Sequence, residues 1–183
     1  NFNGNFGEKI LIRSSNKSFL LLGCGNNYSS YIEYEKLGGI LYSSIKDTGF
    51  QNITIISNLE TSYTREKKIL PKILFGLELK SYSFLKYKTR SDTLKTLKIK
   101  CLTVLSDDIS YLKNKIQINQ DIISGVFLTK NLTSEPANFL TTSEFVNQIE
   151  DLKKIDIEID ILDETRMSDL GMNALLGVGK GSK

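Results

Sequence analysis

Short apolar runs alternate with longer stretches of helical periodicity, and this alternation constrains the fold more than any other feature of the sequence. Apolar residues recur at spacings near 3.6 over residues 31–46 and 64–79, which predicts two helices. Four short apolar runs predict strands at residues 9–14, 18–22, 53–57 and 99–105. Strands that alternate with helices predict an α/β domain with a mainly parallel sheet flanked by helices.

Poor helix formers lie inside both predicted helices. Gly38 and Gly39 weaken the first helix intrinsically, so close packing against another element is expected there. Pro71 lies in the second helix and predicts either a kink or the true start of that helix.

After residue 106 the pattern favours longer helices. Asp107 or Asp108 is expected to cap a helix that runs to about residue 131, with a break near Asn119. A T-x-x-E capping box, from Thr141 to Glu144, predicts another helix that ends near residue 152.

Residues 155–162 (IDIEIDIL) alternate strictly, which predicts a strand with one solvated face. Asp156, Glu158 and Asp160 would share that face. Paired carboxylates can serve acid–base chemistry or bind a metal. A solvated strand face is the favoured interpretation, because the sequence shows no partner groups. A short helix over residues 163–170 and a strand-like piece over residues 174–178 follow.

The composition excludes several functional classes. The chain has no histidine, so a Ser-His-Asp triad, a Cys-His pair and a histidine zinc site cannot be built from it. Cys24 and Cys101 lie in apolar runs and are expected to be buried, reduced thiols. No apolar run approaches 18 residues, so no membrane span is predicted. Residues 1–7 lack the pattern of a signal peptide. Because residue 1 is not an initiator Met, it need not be the native start.

The net charge of +3 hides a basic region. Residues 61–100 carry eleven basic and three acidic groups, and residues 101–183 carry eight basic and thirteen acidic groups. Tyr82, Phe84 and Tyr87 lie among the basic residues of segment 80–100, which is a weak signature of nucleic-acid binding. A solvated, variable loop is the favoured interpretation of this segment.

Two glycine-rich stretches resemble nucleotide-binding loops. Gly23 and Gly25 follow a predicted strand, but Tyr28 stands where a dinucleotide fingerprint needs its third glycine. Residues 177–182 (GVGKGS) have Gly181 where a Walker A motif needs Ser or Thr, and Ala174 where it needs its first glycine. Ordinary turns are therefore favoured at both places.

Two blocks of residues 123–182 carry a specific family resemblance. The run Asn131-Leu132-Thr133-Ser134-Glu135-Pro136-Ala137-Asn138 resembles the leucyl aminopeptidase pattern R-D-L-x-N-E-P-A-N, with Lys130-Asn131 and Ser134 as departures, and Thr142 replaces the proline that closes the block. The run from Leu170 to Ser182, LGMNALLGVGKGS, is similar to the pattern G-M-G-A-L-L-G-V-G-x-G-S of the same family. Residues 8–105 resemble its N-terminal domain more loosely.

The resemblance to this cytosolic, two-metal family implies a macro-domain-like N-terminal domain at residues 1–106, with its opening strands missing. It implies a connector helix at residues 107–133 and, at residues 134–183, the first strand-helix-strand of an α/β catalytic domain. The implied parent is a cytoplasmic, hexameric metalloprotease that releases N-terminal amino acids from peptides, using two divalent ions, manganese or zinc. A macro-like domain further suggests an ADP-ribose-type ligand near Gly23–Gly25 as the weakest hypothesis.

The family's metal-binding blocks, of the types G-K-G-I-T-F-D-S-G-G and N-T-D-A-E-G-R, do not occur in residues 1–183. No catalytic, cofactor-binding or metal-binding residue is therefore assigned within this chain, and no bound cofactor is expected in it. The segment is expected to be non-catalytic, with a role in assembly or regulation. The alternative is an accessory DNA-binding role of the N-terminal domain through segment 80–100.

Overall fold

The protein is described by a computed structural model covering residues 1–25, 30–56, 63–89 and 99–181, with only the backbone of residues 63–68. The described residues form four strands: β1 (Lys9–Arg13), β2 (Ser18–Leu22), β3 (Asn52–Ile56) and β4 (Cys101–Leu105). The helices are α1 (Tyr31–Ile45), α2 (Tyr63–Ser81), α3 (Ile109–Ser134), α4 (Thr142–Glu150), α5 (Glu164–Asp169) and α6 (Asn173–Gly179), with a 3-10 turn at Asp151–Ile155. The predicted α/β class is confirmed.

The described strands form two separate pairs. β1 and β2 are antiparallel, with Lys9 opposite Leu22, and β3 and β4 are parallel, with Asn52 opposite Cys101. The backbone N–H of Ser14 donates to the carbonyl of Lys17 at 2.8 Å, which closes a hairpin too short for a parallel connection. The expected mainly parallel sheet therefore holds for β3 and β4 but not for β1 and β2.

Helices α1 and α2 cross at glycines, whose lack of a side chain lets the two backbones approach closely. A Cβ atom on Gly38 would overlap the carbonyl of Ile73, and one on Gly76 would overlap the carbonyl of Glu35. The close packing predicted at Gly38 is confirmed, whereas Gly39 has no atom nearer than 3.8 Å to its Cβ position. Pro71 lies within α2 and does not mark its start.

Residues 1–127 form one unit and residues 128–183 form another. The described side chains of the first unit include three clusters of buried apolar residues, built mainly from α1 and α2. The clusters are Tyr34, Leu37, Ile69 and Ile73; Tyr42, Ile45 and Leu77; and Leu70, Leu74 and Leu112. The apolar residues at helical spacing in the two predicted helices are mostly buried: Leu37, Ile45, Ile69, Ile73, Leu74 and Leu77 are buried, and Ile40 and Leu41 are half-buried.

Helix α3 begins as predicted and continues further than predicted. The Asp108 carboxylate accepts a hydrogen bond from the backbone N–H of Tyr111 at 3.0 Å, which caps the first turn. The break expected near Asn119 is wrong. Its side-chain amide donates to the carbonyl of Pro71 at 3.1 Å, and this tertiary contact leaves the helix backbone intact. No helix among the described residues is long and apolar enough to cross a membrane.

In residues 128–181 the predicted cap at Thr141 is found and the predicted strands are not. Thr141 accepts from the N–H of Glu144 at 3.3 Å, and Asp163 accepts from that of Arg166 at 2.8 Å. The strand predicted at residues 155–162 is wrong: a 3-10 turn ends at Ile155, and residues 157–162 form no sheet within the described chain. The strand-like piece at residues 174–178 is instead helix α6, because alanine and leucine favour helix.

Candidate functional site

The acidic residues of segment 155–162 do not converge on a site. Asp156 has a left-handed backbone, with φ of 60°, and ends the 3-10 turn rather than continuing a strand. Asp160 forms a double hydrogen bond with the Arg166 guanidinium, at 3.1 and 3.2 Å. Asp156, Glu158 and Asp160 are all exposed, which agrees with the solvated interpretation of these carboxylates.

Backbone pairing accounts for the glycines at positions 23 and 25. The N–H of Gly23 donates to the carbonyl of Glu8 at 2.8 Å, and that of Gly25 donates to the carbonyl of Gly4 at 2.9 Å. A Cβ atom on Gly23 would overlap the backbone of Asn5 and Gly4, so only glycine fits where these backbone segments lie so close together. Because these donors are already used, they cannot cradle a phosphate. Residue 28, the third position of the failed fingerprint, lies outside the described residues.

The second glycine-rich stretch belongs to a helix end. Gly177 and Gly179 lie in α6, and the N–H of Lys180 donates to the carbonyl of Leu176 at 3.1 Å. The N–H of Gly181 donates to Val178, at 3.3 Å. A phosphate loop needs such N–H groups turned together toward the ligand. The described part of this stretch therefore has no phosphate cradle, and Ser182 lies outside the described residues.

The aromatic residues of the basic segment pack against other rings of the chain. The Tyr82 ring lies 5.2 Å from the Phe127 ring, and the Phe84 and Tyr87 rings lie 5.9 Å apart. Tyr82 and Phe84 are half-buried, whereas Tyr87 is exposed. Residues 82–89 form no regular element, as expected of a loop, and residues 90–98 lie outside the described residues.

The two cysteines are free thiols in different surroundings. Cys24 is half-buried and packs against the cluster of Tyr34 and Leu37, and this burial raises the pKa of its thiol. Cys101 is exposed, so its predicted burial is wrong. On β4, Leu102 and Val104 face the core, and the alternation of the strand turns Cys101 outward.

One ion pair of the first unit also has two aromatic rings close to its ammonium group. Lys72 of α2 lies 3.1 Å from the Glu35 carboxylate of α1, and its ammonium group also lies 5.7 Å and 5.5 Å from the ring centres of Tyr31 and Phe75. Sequence periodicity does not reveal this pair, because its partners are 37 residues apart. The arrangement joins the two helices beside their crossing at Gly38 and Gly76. It contains no nucleophile paired with a general base, as catalysis would require.

A two-metal site would need several carboxylate, histidine or cysteine ligands in one place. Among the described residues, no group of three or more such side chains could hold a metal ion. The donor set of these residues therefore does not fit a metal centre.

Comparison with known proteins identifies the family of this chain, which its geometry alone does not. A model of the cytosol aminopeptidase family's N-terminal domain matches residues 1–91, and a model of its catalytic domain matches residues 127–183. The chain belongs to the cytosol aminopeptidase family. The resemblance recognised in the sequence is thereby confirmed.

Relatives in this family extend well beyond the present sequence. A probable cytosol aminopeptidase of Phytoplasma mali is 33% identical over 100% of this chain, which corresponds to 38% of that protein. The cytosol aminopeptidase of Rickettsia prowazekii is 30% identical, again over 100% of this chain and 38% of that protein. The chain thus spans little more than a third of the length of these relatives.

Solved structures agree on the fold. A tomato leucine aminopeptidase mutant matches with a TM-score of 0.80 and 23% identity, over 93% of this chain and 34% of that one. The bottromycin maturation enzyme BotP in complex with Mn matches with a TM-score of 0.65 and 12% identity, over 84% of this chain and 32% of that one.

Proposed function

We propose that this chain is the non-catalytic front part of a cytoplasmic aminopeptidase that removes N-terminal residues, preferentially leucine-like ones, from peptides. The observation that carries the proposal is the match of two successive domains of one aminopeptidase family, in order, along the chain. The length of the relatives implies further polypeptide beyond this chain. We call this chain together with that polypeptide the whole protein.

The proposal divides the work of the whole protein between two parts. Two divalent metal ions, manganese or zinc, would be held by residues outside residues 1–183, because the described residues offer no group of metal ligands. The name of one solved neighbour includes manganese, which favours a metal-dependent family. We propose that residues 1–127 serve assembly or regulation, with a homohexamer as the assembled form.

Hydrolysis of a leucyl chromogenic substrate tests this division of work. With added manganese or zinc, the 183-residue chain is expected to give no hydrolysis above the protein-free rate, and the whole protein is expected to be active. Circular dichroism of the same samples shows whether the 183-residue chain is folded. Metal-dependent turnover by the folded 183-residue chain would contradict the proposal.

An accessory DNA-binding role remains the alternative, and the charge of the basic region favours it. Lys80, Lys86 and Lys88 are exposed, and residues 61–100 carry a net +8 from eleven basic and three acidic groups. Because the described aromatic rings pack on one another, binding would rest on phosphate contacts more than on base stacking. A gel shift that weakens steeply from about 50 to 200 mM salt would support it, and no shift at low salt would exclude it.

A further inference from the structure

Residues 3–8, which we call the leading segment, pair with the loop that follows β2. The backbone N–H of Gly23 donates to the carbonyl of Glu8 at 2.8 Å, and that of Gly25 donates to the carbonyl of Gly4 at 2.9 Å. These bonds prolong the pairing of β1 with β2. The leading segment is therefore attached to the loop by its backbone, on both sides of the loop residue between the two glycines.

The Glu8 carboxylate fixes the turn of the leading segment. Both of its oxygens lie 3.1 Å from the backbone nitrogen of Asn3, and Oε2 also accepts a hydrogen bond from the N–H of Asn5 at 3.0 Å. Gly4 lies between these two donors with a φ of 75°, a conformation that favours glycine. Its own N–H has no hydrogen-bond acceptor among the described residues. The Gly4 nitrogen is thus free, in a turn whose neighbouring residues are held.

Asn3 is the one asparagine of the sequence that a glycine follows. Asparagine is a chemically labile residue, because the backbone nitrogen of the next residue can attack its side-chain carbonyl carbon. The Asn3 side chain is exposed, and it makes no hydrogen bond to a described residue. A Cβ atom on Gly4 would meet nothing within 4 Å, so the space beside this residue is open. Neither a side chain on the next residue nor a competing bond protects the Asn3 amide.

We propose that Asn3 is a site of deamidation, a spontaneous modification that converts its amide to an acid. The deprotonated Gly4 nitrogen attacks Cγ of Asn3 and forms the new C–N bond of a five-membered succinimide. The bond from Cγ to Nδ2 breaks, and Nδ2 leaves as ammonia after taking up a proton from water. A water molecule then opens the ring at either carbonyl, which gives an aspartate or an isoaspartate. Water is the only co-reactant, and nothing is oxidised or reduced.

Asn5 provides an internal control within the same turn. It donates its N–H to the same Glu8 carboxylate as Asn3 does, but the bulky Phe6 follows it. A Cβ atom on Gly25 would lie 3.1 Å from Cβ of Phe6 and 3.2 Å from its backbone nitrogen. The nitrogen that would attack Asn5 is therefore crowded by its own side chain and by the loop, whereas the Gly4 nitrogen is not.

Either product of deamidation would weaken the attachment of the leading segment. An aspartate at position 3 places a second carboxylate beside that of Glu8, and like charges repel. An isoaspartate adds a methylene group to the backbone between the N–H groups of Asn3 and Asn5, so these no longer fit one acceptor. The loop after β2 would then lose its backbone partners, and Cys24, which is half-buried there, would become accessible.

Incubation of the whole protein in mildly alkaline, oxygen-labelled water tests the modification, and peptide mapping by mass spectrometry follows it. Acid that carries one labelled oxygen is expected at residue 3, as aspartate and isoaspartate, at least about 10-fold faster than at residue 5. The variant Asn3→Gln is expected to form no acid at this position in the same time, because its longer side chain closes a ring slowly. Retention of the Asn3 amide to the same extent as the Asn5 amide would overturn the proposal.

Alkylation of Cys24 by iodoacetamide tests the consequence in the same samples. Once residue 3 is an acid, Cys24 is expected to react at least about 3-fold faster than in fresh protein, while the rate at Cys101 stays unchanged. Incubated Asn3→Gln is expected to keep the Cys24 rate of fresh protein, and circular dichroism checks that the variant is folded. An unchanged Cys24 rate in deamidated protein, or an equal rise in incubated Asn3→Gln, would contradict the release of the loop by deamidation.

Discussion

Residues 1–127 and residues 128–183 belong to one chain but bury their side chains to different degrees. The first region has eleven buried apolar residues among those described, and ten of them form three clusters built mainly from α1 and α2. The described residues of the second have none, although two of its three short helices begin with a side-chain cap. Caps and helix propensity can thus define local structure without a core, and stability at the tertiary level comes from packing.

The largest expected contrast comes from alanine at two helical glycines. Gly38→Ala in the first region places a Cβ atom on the carbonyl of Ile73, and we expect it to lower the free energy of unfolding by about 4 kcal/mol or more. Gly177→Ala in α6 meets no atom within 4 Å, so it is expected to be neutral or stabilising by up to about 1 kcal/mol.

Urea denaturation of the two variants and the parent chain measures both effects. Gly39→Ala is the matched control within α1, because its Cβ would only touch the Lys80 side chain at 3.8 Å. A loss below about 1 kcal/mol for Gly38→Ala would show that the helices do not cross as described.

Truncation of one apolar side chain in each region gives the next contrast. Leu37 is fully buried, and Leu37→Ala is expected to cost about 3 kcal/mol, since it removes buried methyl groups and leaves a cavity. Val178 is 78% exposed, and Val178→Ala is expected to change stability by less than about 0.5 kcal/mol. Thermal unfolding followed by circular dichroism measures both changes in stability. Equal losses of stability at the two sites would contradict the difference in packing between the two regions.

The two thiols locate the boundary of the core of the first region. Thiolate is the reactive form, and burial raises the pKa of the Cys24 thiol above its ordinary 9.0, so little thiolate forms there near pH 8. Alkylation of Cys24 is therefore expected to be about 10-fold slower than that of exposed Cys101 at pH 8. Its rate should continue to rise with pH above 9.

Mass spectrometry of the iodoacetamide-treated chain at several pH values measures both rates. Cys24→Ser and Cys101→Ser serve as single-thiol controls. Reaction of Cys24 at the rate of Cys101 would place residue 24 outside the core.

The smallest contrast compares ion pairs. The Lys72–Glu35 side chains are 37% and 27% exposed, and Glu35→Gln is expected to cost roughly 0.5–1 kcal/mol at low salt. The Arg166–Asp160 side chains are 55% and 70% exposed, so Asp160→Asn is expected to cost almost nothing. Repeating the denaturation in 1 M salt should reduce the Glu35 effect. A salt-independent loss would indicate that Glu35 contributes by packing and not by charge.

Local signals explain most of what the sequence predicts correctly. Helices α1 and α2 follow apolar periodicity, and the helix starts at Asp108, Thr141 and Asp163 follow from side chains that accept backbone N–H groups. Failures occur where the outcome depends on a distant neighbour. The strand expected at residues 155–162 has no partner, and the crossing at Gly76 involves residues far apart in sequence.

The functional assignment depends on information of a different kind. Family blocks near residues 131–138 and 170–182 identify the cytosol aminopeptidase family, yet the described residues form no metal-binding group. Catalytic chemistry in such enzymes needs residues from separate segments brought together. A sequence that covers 38% of a relative can therefore reveal its family even where its described residues assign no catalytic group.

Removal of residues 135–183, which form most of the second region, tests the central contrast most directly. A chain of residues 1–134 keeps helix α3 complete and lacks every residue beyond it. Its thermal midpoint is expected to lie within about 2 °C of the midpoint of the 183-residue chain, with an equally cooperative transition. A midpoint lower by about 10 °C or more, or the loss of cooperative unfolding, would show that residues 135–183 contribute to the core and would contradict this account.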